Sequence, residues 1–140
     1  MTRSNIRPCL VFILLLQGLF SFAQGMSNTD FSGNAGKVEW LPRKLEMGNI
    51  PFGEVTTKEF LVKNISNEIL VLTDVQSSCH CASVTYTQDA IPPGASGVIK
   101  ASYDGSQAGD FYKIITVKTN FDPKQTVALI VSGKVLEKKS

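Results

Sequence analysis

The chain has 140 residues, of which 43% are hydrophobic, with 14 basic side chains against 12 acidic ones. This length fits one domain with a core of ordinary size. Because Arg3 and Arg7 lie in the first 23 residues, the remaining 117 residues carry 12 basic and 12 acidic side chains. A formal charge near zero excludes the basic field that would attract nucleic acid or an anionic membrane surface.

Residues 1–23 have the pattern of a secretory signal peptide. Arg3 and Arg7 precede an apolar run that ends at residue 16, and Ser21-Phe22-Ala23 places small residues where a signal peptidase cuts. The run is far shorter than the roughly 20 residues that cross a bilayer. Cys9 lies at its head, whereas a lipobox cysteine would follow it. We therefore predict cleavage before Gln24, no membrane span afterwards, and a periplasmic or secreted protein.

The predicted domain covers residues 38–136, between a flexible lead-in at 24–37 and a polar tail at 137–140. The lead-in is rich in Gly, Ser and Asn, a composition typical of mobile segments. Beyond it, runs of Val, Ile, Thr and aromatic residues alternate with Gly, Pro, Asn and Asp at about 8–12-residue spacing, which predicts strands. In chain order these are Val38–Leu41, Leu45–Gly48, Thr56–Asn64, Ile69–Gln76, Ala82–Tyr86, Val98–Tyr103, Phe111–Thr119 and Thr126–Val135.

Alternation within these strands predicts which side chains form the core, because successive residues of a strand point to opposite faces. The nearly apolar run from Ile69 to Leu72 predicts a strand start that is buried on much of both faces. The other residues expected to point inward are Phe60, Val62, Ile99, Ala101, Tyr103, Ile115, Val117, Val127, Leu129 and Val131.

Seven or eight strands without helical periodicity predict an all-β fold, an immunoglobulin-like antiparallel β-sandwich. A small barrel is the alternative. The sandwich is favoured because tight turns alternate with longer loops, as Greek-key connections require. The Cys…Trp…Cys core of antibody domains is absent from the sequence, because Cys79 and Cys81 are only two positions apart.

Six segments between Leu45 and Val135 form an ordered series of motifs. They are Phe52-Gly53-Glu54-Val55, Phe60-Leu61-Val62-Lys63-Asn64, Asp74-Val75-Gln76-Ser77-Ser78-Cys79-His80-Cys81, Ile91-Pro92-Pro93-Gly94-Ala95-Ser96-Gly97-Val98-Ile99-Lys100, Ile114-Ile115-Thr116-Val117-Lys118-Thr119-Asn120 and Gly133-Lys134-Val135. In this series the chain resembles a bacterial family, domain of unknown function 1573. The resemblance implies a secreted protein with an Ig-like sandwich similar to major-sperm-protein-type modules, and it implies no particular activity. After its first cysteine the family has Gly, Cys and Thr, where this chain has His80, Cys81 and Ala82.

Cys79-His80-Cys81 concentrates the reactive side chains of the predicted domain, and an exported protein meets an oxidising compartment in which a disulfide is the default. In an extended strand, residues two apart have Cα atoms about 6.6–6.8 Å apart. This is the upper edge of what a disulfide accepts, so a bond needs a bulge or a turn. Closing a three-residue loop contributes only about 1.6 kcal/mol.

Metal binding and thiol exchange are the other hypotheses for this segment. Two thiolates suit Cu(I), whereas structural zinc needs four ligands and His80 would point away from Cys79 and Cys81 in an extended chain. Thiol–disulfide exchange typically uses Cys-x-x-Cys at a helix N-terminus, and no helix is predicted here. The favoured interpretation is that the cysteine pair is a buried or oxidised structural feature at a strand end, with His80 on the surface and no resident cofactor.

Catalytic constellations elsewhere are weak. His80 is the single histidine, and no nucleophile elbow surrounds it. Asp104 and Asp110 flank a glycine-bearing turn, which turn chemistry explains better than an acid/base pair. We therefore predict a non-enzymatic module for protein interaction or envelope structure, whose exposed sheet edges bind another envelope or secreted protein by strand addition. The alternative is a metal or thiol-redox role through Cys79, His80 and Cys81.

Overall fold

The computed structural model describes residues 36–139, which form eight β-strands. The predicted signal peptide (residues 1–23) and all but the last two residues of the predicted lead-in (24–37) lie outside this range. No helix between residues 36 and 139 is long and apolar enough to cross a membrane. The strands are β1 (Val38–Leu41), β2 (Lys44–Ile50), β3 (Thr56–Asn64), β4 (Leu72–Ser77), β5 (Ala82–Tyr86), β6 (Ser96–Tyr103), β7 (Gly109–Thr119) and β8 (Asp122–Val135).

The strands form two four-stranded sheets that pack into a sandwich. The first sheet has the order β1-β3-β6-β5, and the second has the order β2-β8-β7-β4. Every pair is antiparallel except β2 and β8, which run parallel. The predicted Ig-like β-sandwich is confirmed, with this one parallel pair in an otherwise antiparallel fold.

The core lies between the inner faces of the two sheets, and strand alternation predicted its members correctly. All ten residues that the sequence pattern assigned to inner faces outside the Ile69 segment are at most 3% exposed. Tyr103 of β6 stacks on Phe111 of β7, with ring centroids 4.0 Å apart and an interplanar angle of 6°. The two sheets are therefore joined by hydrophobic packing, which is the dominant favourable term in folding.

The prediction that the fourth strand starts at Ile69 was wrong. Ile69 is 57% exposed, and β4 begins at Leu72. Two distant residues bind this segment instead. The side chain of Asn120 accepts from Val71 N–H (2.8 Å) and donates to Ile69 C=O (2.9 Å). Leu70 forms an isolated bridge with Ile91 and is fully buried, so the apolar run is an irregular crossing rather than a strand.

Candidate functional site

The cysteine turn, residues 78–81, connects β4 to β5. β4 is an edge of the second sheet and β5 is an edge of the first. The turn therefore carries the chain across the open side of the sandwich, from one sheet to the other. This placement explains why the segment is irregular, since neither ladder continues through it.

Cys79 and Cys81 are joined by a disulfide, with Cα atoms 5.4 Å apart. This separation is well below the extended value of about 6.6–6.8 Å, so the backbone bends at His80 as the bond requires. His80 is exposed, whereas both cysteines are half-buried and Cys81 packs against the core. The bend brings the two sulfurs together and leaves the imidazole on the surface.

Hydrogen bonds fix the cysteine turn on both sides. Ser78 N–H donates to Ile114 C=O (2.9 Å), and Ser78 Oγ accepts from Ile114 N–H (3.1 Å). At the other end, Asp104 N–H donates to Cys81 C=O (3.2 Å). The turn is thus held by β7 and by the residue after β6, independently of the disulfide.

Asp104 begins the loop after β6 and has the turn role that the sequence suggested. Its Oδ1 accepts from the backbone N–H (3.0 Å) and the hydroxyl (2.8 Å) of Ser106. These two hydrogen bonds hold the pKa of Asp104 below its ordinary value. Gly105 follows with φ +63°, and a Cβ there would lie 2.6 Å from Glu54 O. The carboxylate therefore organises a tight loop in which only glycine fits without a shift.

Metal-binding geometry is not assembled in the part of the chain that the structure describes. Residues 36–139 contain no group of three or more His, Cys, Asp or Glu side chains that could hold a metal ion. In the disulfide form Cys79 and Cys81 offer no thiolate, which is the species that binds Cu(I) or attacks a disulfide. The metal and thiol-redox hypotheses for Cys79, His80 and Cys81 remain predictions about the reduced protein.

Three surface depressions among residues 36–139 lie away from the cysteine turn. One of about 610 Å³ is lined by β1 with Gly36, Arg43 and Ile65, one of about 360 Å³ by β2 with β7 and β8, and one of about 220 Å³ by β5 and β6 with Thr87. None of these three is lined by Cys79, His80 or Cys81. The geometry thus gives the turn no substrate-sized cavity of its own among them.

The free edge of β5 is a feature that sequence reasoning did not single out. Thr87 N–H donates to Val98 C=O (3.0 Å) at one end of the β5–β6 ladder, and the bond from Asp104 to Cys81 lies at the other end. Antiparallel pairs alternate between hydrogen-bonded and non-bonded positions, so Ser83 and Thr85 also direct their backbone groups toward β6. The alternate residues of β5 have backbone groups that point away from β6, toward solvent. These residues are Ala82, Val84 and Tyr86.

The other three edge strands of residues 36–139 carry features that discourage further pairing. Charges, proline, irregularities and short length blunt the edges of natural sheets. The four-residue β1 contains Glu39 and ends beside Pro42. β2 contains Lys44 and Glu46 and shifts register after Glu46, and β4 contains Asp74 and an irregular register. β5 has no charge, proline or glycine and an unbroken register with β6.

These features define the class of protein: an Ig-like β-sandwich with one edge strand, β5, that lacks charge, proline, glycine and register shifts, and with no group of metal-ligating side chains among residues 36–139. The chain belongs to the family described as "Protein of unknown function (DUF1573)", whose model matches residues 38–135. The predicted resemblance is thereby confirmed. A search of curated proteins finds no match.

Solved structures with a similar fold agree with this class. A protein of unknown function from Porphyromonas gingivalis W83 has a TM-score of 0.62 and 19% identity over 71% of this chain, which spans 46% of that protein. The ASH/PapD-like domain 7 of human CEP192 has a TM-score of 0.63 and 12% identity, covering 74% of this chain and 88% of that one. SSP-19, an MSP-domain-like protein of Caenorhabditis elegans, has a TM-score of 0.50 and 11% identity, covering 68% and 97%.

The secreted serine protease VesC and the VesB protease, both of Vibrio cholerae, are also among the similar structures, but the likeness covers only 25% and 33% of those chains. At these identities the similarity shows the fold alone. The function of this chain therefore depends on its own surfaces and not on the shared fold.

Proposed function

We propose that this chain is an exported, non-enzymatic Ig-like module that binds another envelope or secreted protein. The observation that supports this most directly is the free edge of β5, which lacks charge, proline, glycine and register shifts. An edge with unsatisfied backbone donors and acceptors is a template for strand addition, and natural sheets block such edges unless pairing is useful. Three edges of the sandwich formed by residues 36–139 carry features that discourage pairing, and β5 does not.

The environments of the two catalytic candidates, Asp104 and His80, also fit a binding protein better than an enzyme. Asp104 is engaged with Ser106 in the loop after β6, and His80 is exposed beside an oxidised cysteine pair. The family to which the chain belongs has no assigned function. The site chemistry therefore favours recognition over turnover.

Export is the second part of the proposal, and it rests on the leader pattern of residues 1–23. The Cys79–Cys81 disulfide is compatible with it, because disulfides persist in oxidising compartments and are rare in the cytosol. Intact mass of the protein recovered from the periplasm or medium should correspond to a chain that begins at Gln24. A cytosolic protein of full length would contradict export.

Site-specific photo-crosslinking tests the binding role. A photoreactive residue is placed at Thr85, which is exposed on β5, and in a second variant at Tyr112, which is 58% exposed on the outer face of the second sheet. We expect one discrete adduct with another exported protein, at one position and not at the other. Absence of adducts at both positions, together with enzymatic turnover of model thiol or ester substrates, would refute the proposal.

A further inference from the structure

We propose that the β5 edge is the binding site itself, and that it takes an extended segment of the partner as a fifth strand of the first sheet. This inference rests on the proposed function and names its surface and occupant. The backbone of Ala82, Val84 and Tyr86 points outward and offers three donors and three acceptors to an added strand. Hydrogen bonds to these groups would form a new ladder on the side of β5 opposite β6.

The side chains of the same three residues show that the core is open along this edge. Ala82, Val84 and Tyr86 are only half-buried, although they pack against the core. At the opposite edge of the same sheet, Val38 and Trp40 of β1 are 5% and 6% exposed. An added strand would cover apolar surface beside β5, which stabilises the complex in addition to the backbone hydrogen bonds.

The residue pattern of the partner segment follows from the alternation of side chains along β5. Residues directly opposite each other in paired strands share a face. Partner residues opposite Val84 and its two inward neighbours meet the core margin, so they should be apolar. Partner residues opposite Ser83 and Thr85 lie on the exposed outer face, so they should be polar. The edge thus fits an uncharged segment in which apolar residues alternate with polar residues such as Ser or Thr.

The size of the edge argues for an extended segment rather than a second folded copy. β5 has five residues, about 17 Å at about 3.4 Å per residue, and a sheet is about 10 Å thick. Contact along this edge alone would bury roughly 170 Å² per partner, whereas stable interfaces bury about 800 Å² per partner. An extended segment can pair with the edge and then follow the neighbouring surface, so it is not limited to the edge itself.

Selection of peptides from a displayed random 12-residue library tests the proposal. The target is the exported, oxidised protein, and affinities of synthetic peptides are measured by fluorescence polarisation. We expect bound sequences to alternate apolar and polar residues. N-methylation at peptide positions that face β5 should weaken binding at least tenfold, whereas N-methylation shifted by one residue should not.

Hydrogen exchange followed by NMR identifies the edge at single-residue level. The amides of Ala82, Val84 and Tyr86 should exchange rapidly in the free protein and slow at least tenfold with peptide bound. The amides of Ser83 and Thr85 already point toward β6, so the peptide should change them much less. Addition of a strand protects alternate amides of β5 from exchange, whereas a complex formed through side chains alone does not.

Val84→Pro provides the matched variant. Because the Val84 N–H faces away from β6, its loss removes no bond of the existing ladder. We expect peptide affinity to fall at least tenfold, with the Tm changed little, while Tyr112→Ala retains the affinity. If Val84→Pro does not fold, the N-methyl series and the exchange pattern decide the question.

Three results would overturn the inference. Binding retained in folded Val84→Pro and lost in Tyr112→Ala would place the site on the second sheet and leave the proposed function intact. A library that yields no alternating binder would remove the extended segment as occupant. Protection of Ala82, Val84 and Tyr86 by self-association alone, seen in sedimentation, would make a second copy the occupant.

Discussion

Reduction of the Cys79–Cys81 disulfide should lower the free energy of unfolding by only about 1.6 kcal/mol. The disulfide closes a loop of three residues, since the cysteines are two apart in sequence. For three residues the chain-entropy relation gives about 5.4 cal/mol/K, or about 1.6 kcal/mol at 25 °C. The bonds between Ser78 and Ile114 and between Asp104 and Cys81 do not depend on the sulfurs. The reduced protein should therefore remain folded.

Urea unfolding followed by the fluorescence of Trp40 measures this loss. Trp40 is the single tryptophan and is 6% exposed, so its emission reports loss of the core. The oxidised protein is compared with the reduced wild type, which keeps the same side-chain volumes, and with the Cys79→Ser, Cys81→Ser double variant. A loss above about 4 kcal/mol, the size expected of a long closed loop, would refute the short-loop argument.

Three further changes test the core, a loop and a titrating group. Phe60→Ala should cost about 3–5 kcal/mol in urea unfolding because the ring is fully buried, whereas the neighbouring Leu61→Ala, at a side chain that is 40% exposed, should cost less than about 1 kcal/mol. Gly105→Ala should cost more than about 1 kcal/mol, because φ is +63° and the new Cβ would lie 2.6 Å from a backbone carbonyl oxygen; an unchanged Tm would contradict this. Ser106→Ala should raise the pKa of Asp104 toward its ordinary value, as measured by NMR titration, because it removes one of the two hydrogen bonds from Ser106 that lower this pKa. The lowered pKa stabilises the fold above the ordinary carboxyl pKa, and that contribution is lost as the pH falls through the folded-state value.

The core was predictable because its pattern is local. Phe60 and Val62 point inward and Leu61 points outward because side chains alternate between the two faces of a strand. Three consecutive residues are enough to show this alternation. The segment at Ile69 failed for the opposite reason. Its hydrogen bonds come from Asn120, 51 positions away, so local apolarity could not reveal the irregular crossing.

The candidate site was predictable only in part. Spacing showed that a Cys79–Cys81 disulfide needs a bend, and the observed Cα separation of 5.4 Å meets that condition. The sequence could not predict which backbone groups of β5 face β6 and which face away from it. This orientation depends on which residue of β6 lies opposite each residue of β5, as in the pairing of Val84 with Ala101. One position of slippage would exchange inward and outward amides.

The disulfide and the β5 edge belong to one local arrangement. A bond across three residues stabilises the whole fold weakly, yet it adds a covalent link across the bend at His80, just before β5 begins. An extended chain through His80 would let the free edge continue toward Ser78 and present more outward groups in a variable register. With the bend, the ladder ends at the bond between Asp104 and Cys81, and the outward set is limited to Ala82, Val84 and Tyr86. If β5 binds a partner strand as proposed, a cysteine pair that stabilises the domain only weakly would still help to set where that pairing begins.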